Sequence, residues 1–90
     1  MIEKEKTLEK KLVAHIKKRG GLCLKLLPFS YAGLPDRLCL LPGGRVVFCE
    51  IKETGKKLSP LQGVVFDKLA ALNIEVYLID STQKIFDYVG

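Results

Sequence analysis

The 90-residue chain has no long hydrophobic run, no paired cysteines and only one histidine. Each shortage closes off a class of protein. The apolar runs at 38–42 and 46–49 fall far short of the roughly 20 residues a membrane helix needs. Residues 1–6, Met-Ile-Glu-Lys-Glu-Lys, have no apolar stretch behind their charges, so no signal peptide is expected. Cys23, Cys39 and Cys49 are odd in number, scattered among Leu, Val and Phe, and lack CxxC spacing. They read as small core hydrophobes, not as a disulfide framework or zinc site. A reducing, cytoplasmic setting fits that usage. His15 sits beside a lysine-rich helix end and reads as a surface residue, neither base nor ligand. No helix-turn-helix pattern or aromatic stacking strip is present, so a nucleic-acid partner would be recognised by backbone shape, not base sequence.

What is present suits one folded domain over residues 1–90. The chain is 48% hydrophobic and 28% charged, which argues against general disorder. Fifteen Lys and Arg against ten Asp and Glu give a net charge of +5 and a pI of about 9.2. The positive charge concentrates at 1–19 and around Lys52, Lys56 and Lys57, while 73–90 is net acidic.

Residues 3–19 predict a helix, with Leu8, Leu12, Val13 and Ile16 at helical spacing and Gly20-Gly21 as its stop. A short strand follows at 22–27, then a Pro-rich loop at 28–35. The runs 36–41 and 45–52 flank Pro42-Gly43-Gly44 and predict an antiparallel hairpin. Residues 53–58 form an exposed connection. Ser59-Pro60-Leu61-Gln62 is a helix start with a capping box, and Leu61, Val64, Val65, Leu69 and Leu72 continue an apolar face. A strand at 74–79 and a short helix at 82–89 complete an αβββαβα order.

Closing the hairpin with Leu41 opposite Arg45 makes partner numbers sum to 86. Asp36 then stands opposite Glu50, and the pleat sends Lys52 to the same face. The other face carries Arg37, Cys39, Leu41, Val47, Cys49 and Ile51. Both faces are largely apolar, so the sheet is expected to be covered on both sides. Two facing carboxylates repel, and burial worsens it; Lys52 offsets part of the charge and a hard divalent cation more of it. Pattern alone leaves a strand-end ion cluster and a metal site both open, and a one-residue register slip would separate Asp36 from the others.

Gly33-Leu34-Pro35-Asp36 followed by Glu50-Ile51-Lys52 resembles the PD-(D/E)xK nuclease signature. The fuller set is a Glu-bearing first helix ending in Gly20-Gly21, then Gly-x-Pro-Asp, Pro-Gly-Gly, Glu-x-Lys, Gly-Lys-Lys and Ser-Pro-Leu-Gln. It resembles the small VRR-NUC domains of phages and bacteria over nearly the whole chain. The resemblance implies an α/β restriction-endonuclease-like core, with a central mixed sheet flanked by helices. It also implies metal-dependent phosphodiester hydrolysis: Asp36, Glu50 and the Ile51 carbonyl would hold Mg²⁺ or Mn²⁺. Lys52 would orient or help deprotonate the attacking water and balance charge on the phosphate.

The family's first helix supplies a further metal-binding glutamate. Glu9 matches that place, since it shares a helix face with Leu12, Val13 and Ile16; an ordinary solvated glutamate is the alternative. Glu3 and Glu5 lie in a charged run and are expected to be solvated. Gln62 has a local explanation in the capping box, and the family also places a glutamine near the reactive water. Related nucleases often continue with Tyr four residues on, where this chain has Phe66. Lys56 and Lys57 are positioned to neutralise flanking phosphates, and Tyr31 and Ser30 in the 28–35 loop are candidate groove contacts.

Together these readings point to a structure-selective DNA endonuclease, with four-way junction cleavage by a homodimer as the specific form. The rivals are a nicking, flap or restriction-type nuclease, a non-catalytic basic nucleic-acid-binding module, and an adaptor acting through protein contacts.

Overall fold

A computed structural model describes residues 1–27 and 31–90. Its elements are α1 (Glu5–Lys18), β1 (Leu22–Lys25), β2 (Arg37–Leu41), a 3₁₀ turn (Pro42–Gly44) and β3 (Arg45–Ile51). They continue with α2 (Pro60–Ala71), β4 (Glu75–Ile79) and α3 (Thr82–Lys84), which widens into a π-helical turn at Ile85–Val89. The strands form one sheet in the order β1-β2-β3-β4. The first two pairings are antiparallel and β3–β4 is parallel. A parallel neighbour needs a long crossover, and α2 supplies it. The chain therefore builds the expected mixed sheet flanked by helices.

The hairpin register is the expected one, from Leu41 opposite Arg45 to Arg37 opposite Cys49. Pro at the start of the turn and Gly43 and Gly44, both at positive φ, make it compact enough to fix that pairing. Alternation then sorts the side chains. The inner face sends Cys39, Leu41, Val47, Cys49 and Ile51 against Leu8, Leu12 and Ile16 of α1 and against Ile79, Ile85 and Val89. Each fully buried Leu or Ile there stabilises the fold by about 1.5–3 kcal/mol.

Three expectations are corrected. The outer face is only partly covered: Leu22, Leu24 and Val46 remain exposed, because the one crossover helix packs on β4. Of the apolar face expected on α2, only Val65 is buried, while Leu61, Val64 and Leu72 are exposed; five apolar positions span a wider arc than one sheet contact can bury. Glu3 is not solvated. Its carboxylate accepts hydrogen bonds from the Thr82 backbone (2.8 Å) and hydroxyl, and its own N–H donates to Thr54 Oγ1 at 2.9 Å. This strut ties the start of the chain to the ends of β3 and β4. His15 is half-buried, its Nε2 lying 3.1 Å from the Gly90 carbonyl and its ring edge-on to Phe86.

Gly33 shapes the approach to Asp36. It has a φ of +85°, and a Cβ there would stand 2.9 Å from Leu61 and Val65 atoms of α2. Only glycine lets the loop press this closely onto α2, which seats buried Pro35 ahead of β2.

Candidate active site

At the open end of the hairpin, Glu50 collects three partners. The Asp36 backbone N–H donates to its Oε1 at 3.1 Å. The Gln62 side-chain amide donates to its Oε2 at 3.0 Å. The Lys52 ammonium lies 3.6 Å from the same oxygen. Glu50 belongs to β3, Lys52 follows it by one pleat, Asp36 immediately precedes β2, and Gln62 stands in the first turn of α2. Three separate elements thus meet at one carboxylate.

Gln62 does two jobs with its two ends. Its Oε1 accepts the Ser59 N–H at 2.9 Å, and Ser59 Oγ accepts the Gln62 N–H at 3.2 Å, which is the expected capping box. That cap fixes the rotamer that aims Nε2 at Glu50. The cap and the contact with Glu50 thus use the two ends of one side chain.

Glu50 is 3% exposed. Burial, followed by the neighbouring Asp36 charge, pushes its pKa up to about 7, against the lowering pull of Lys52. A carboxylate in that position favours a proton or a cation beside it. The Ile51 carbonyl is the candidate for a third oxygen. Lys52 N–H donates to Ile79 O of β4 at 3.1 Å. Across a trans peptide the Ile51 C=O points the opposite way, to the β2 side. Continuing the register past Arg37–Cys49 brings Pro35 there, and proline has no N–H to offer. Two carboxylates and a carbonyl are hard oxygen donors of the kind Mg²⁺ or Mn²⁺ takes alongside waters and phosphate. No group of three or more His, Cys, Asp and Glu side chains is placed to hold a metal among the described residues.

Glu9 is not brought to this cluster. Its carboxylate pairs with Arg37 at 3.0 Å, and Arg37 projects from the face opposite Asp36. Both are largely buried, with side-chain exposures of 29% and 13%. The sequence reading missed Arg37, although the alternation that placed Asp36 outward also turned its neighbour toward α1. It missed Lys25 too. Lys25 lies opposite Arg37 and lines, with Leu26, Leu34, Asp36, Ser59 and Gln62, a cleft of about 300 Å³.

Lys56 and Lys57 are exposed just past β3, after a turn in which Lys56 N–H donates to Glu53 O. Tyr31 is exposed but lines a neighbouring hollow with Leu34, Val65 and Leu72, not the cleft at Asp36. Ser30 lies outside the described residues. No helix among the described residues is long and apolar enough to cross a membrane.

No family model matches the chain. A protein of Acyrthosiphon pisum secondary endosymbiont phage 1, named "Putative nuclease p44", is 38% identical over 78 residues, covering 87% of this chain and 84% of that one. A solved structure described as a VRR_NUC domain superposes with a TM-score of 0.87 at 26% identity, over 94% of this chain and 92% of that one. With a PD…ExK arrangement gathered at the end of its β2–β3 hairpin, the chain belongs to the VRR-NUC nuclease family.

Proposed function

We propose that this nuclease is a Mg²⁺- or Mn²⁺-dependent, structure-selective DNA endonuclease whose specific substrate is a four-way junction, cut by a homodimer. The observation that carries the metal dependence is Glu50. It is a buried carboxylate beside Asp36, held by three partners, each of which leaves lone pairs on its oxygens free. Asp36, Glu50 and the Ile51 carbonyl are the groups to hold the ion. When bound, such an ion acidifies water and stabilises the charge that develops on a phosphate under attack.

The chain's own residues do the rest. Lys52 orients or helps deprotonate the attacking water, and as an ammonium it balances charge on the scissile phosphate. Gln62, fixed by its cap, keeps Glu50 in one rotamer, so the oxygen donors need not reorganise as charge builds. Lys25 at the cleft and Lys56 and Lys57 beyond β3 contact flanking phosphates, which position a backbone without reading its sequence. Tyr31 offers an exposed ring at the rim of the next hollow, suited to a groove contact.

A branched substrate favours two symmetric sites, and a two-fold dimer supplies both. The exposed Leu61, Val64 and Leu72 of α2 and Leu22, Leu24 and Val46 of the outer sheet face provide apolar surface for a second copy.

The test compares a four-way junction, a flap and a plain duplex of matched arms, with Mg²⁺ or Mn²⁺. Paired symmetric cuts at the junction, with slower cleavage of the other two, are expected. Equal rates on all three would overturn the structural selectivity. Tight DNA binding with no product on any substrate would overturn the enzymatic reading.

A further inference from the structure

The three thiols that the proposed chemistry does not use sit side by side on the inner sheet face, one each on β1, β2 and β3. Cys23 is the direct cross-strand partner of Cys39, and their sulfurs are 3.8 Å apart. The kind of pair matters. Leu26 N–H donates to Asp36 O at 2.8 Å, so 26 and 36 form a hydrogen-bonded pair. Alternation along the ladder then makes Lys25–Arg37 a non-bonded pair, Leu24–Leu38 bonded and Cys23–Cys39 non-bonded. Non-bonded antiparallel pairs bring Cα atoms to about 4.5 Å with side chains at their closest, inside the 4.4–6.8 Å window of a disulfide. Cys49 is a diagonal neighbour of Cys39, not a direct one, and diagonal positions are about 7–8 Å apart.

We propose that Cys23 and Cys39 are a reversible oxidation site that closes an intramolecular cross-strand disulfide. The half-buried Cys23 lies on the four-residue edge strand β1, so a peroxide-class oxidant reaches it first; Cys39 is fully buried behind it. The Cys23 sulfur attacks a peroxide oxygen, breaking the O–O bond and leaving a sulfenic acid and water. The Cys39 sulfur then attacks the Cys23 sulfur and expels a second water. In sum, two thiols and one hydrogen peroxide give one disulfide and two waters. The sulfurs close from 3.8 Å to about 2.05 Å, a movement within reach of side-chain rotation. Contact with Cys39, then burial, pushes the Cys23 thiol up. Cys39 is lowered by Cys23 but pushed up overall to about 12 by Cys49 and burial. Both thiols are therefore protonated at neutral pH, and the pair oxidises slowly, under excess oxidant, instead of behaving as a hyper-reactive thiolate.

The bond would close the stretch from 23 to 39, which carries the approach to Asp36. A loop of this length is expected to raise the melting temperature by roughly 10 °C or more if strain is small. Any effect on cleavage rests on the function proposed above, whereas bond formation itself does not.

The test exposes the full chain to excess hydrogen peroxide, blocks free thiols in denaturant, and reads intact mass, disulfide-linked peptides and melting temperature. Wild type should take up one blocking group, at Cys49, and Cys49→Ala none. Each should be two hydrogens lighter than its blocked composition otherwise requires, yield a Cys23–Cys39 peptide and melt higher until dithiothreitol reverses these changes. Cys23→Ser, a substitution on the half-buried side of the pair, should show none of them. A Cys39–Cys49 linkage, Cys23 found only between two chains, or no linkage after prolonged exposure would each overturn the proposal. Each of these outcomes is read without a cleavage assay, so none depends on whether the chain cuts junctions.

Discussion

The two faces of β3 carry opposite kinds of side chain on one strand. Inward, Val47, Cys49 and Ile51 are 0–1% exposed and belong to the apolar core. Outward, Val46 is 37% exposed, and Glu50 is buried at 3% despite its charge. The inner face is where burial holds the fold together. The outer face ends in a carboxylate whose burial is unfavourable by itself, which is the kind of local conflict expected where a protein does chemistry. The core and the candidate site are thus separated by a single pleat.

That separation can be broken most visibly at the outer end. Asp36→Asn and Lys52→Ala should each lower cleavage of the preferred DNA by at least about 10²–10³-fold while leaving a folded protein. A rate within tenfold of wild type would remove that residue from the mechanism.

Next come the neighbours Val46 and Val47. Val47→Ala should destabilise the fold by about 2 kcal/mol, from lost burial plus a cavity. Val46→Ala, on the open face, should cost less than about 1 kcal/mol. Chemical denaturation measures both, and equal values would mean the outer face is covered.

Glu50→Gln should separate the two roles within one residue. A carboxyl whose folded pKa is raised from 4.5 to about 7 supports the fold fully below 4.5 and loses that support as pH rises through 7. The metal-free wild type should therefore weaken across that window relative to Glu50→Gln, by on the order of 3 kcal/mol at pH 8. Melting curves from pH 4 to 8 without divalent ions check this, and parallel curves would contradict it.

The smallest effect belongs to Glu75. Its bidentate contact with Arg45, at 2.7 Å for each oxygen, holds its pKa down to about 2. A depressed carboxylate supports the fold above 4.5 and loses that support as pH falls toward 2. Glu75→Gln should flatten this acid limb modestly, because the pair is partly solvated. An unchanged limb would show that solvent screens the pair.

The hairpin was legible because its information is local: a short Pro-Gly-Gly turn between two apolar runs fixes the register, and register fixes which residues share a face. Asp36, Glu50 and Lys52 follow from that arithmetic, and Gln62 from its cap. What was not legible is long-range. The Glu3–Thr82 strut joins residues 79 apart, and nothing near Glu3 signals it. Helical spacing showed that Glu9 faces inward but not that Arg37 would be waiting. The apolar residues of α2 looked like core because periodicity reports an amphipathic face, not whether a neighbour covers it.

The most direct test of the account is Mn²⁺ binding seen by anomalous diffraction from crystals of this protein. The account predicts one strong peak within coordination distance, about 2–2.3 Å, of the Asp36 and Glu50 carboxylates and the Ile51 carbonyl, and its loss in Glu50→Gln. A peak elsewhere, or none at saturating Mn²⁺, would contradict it.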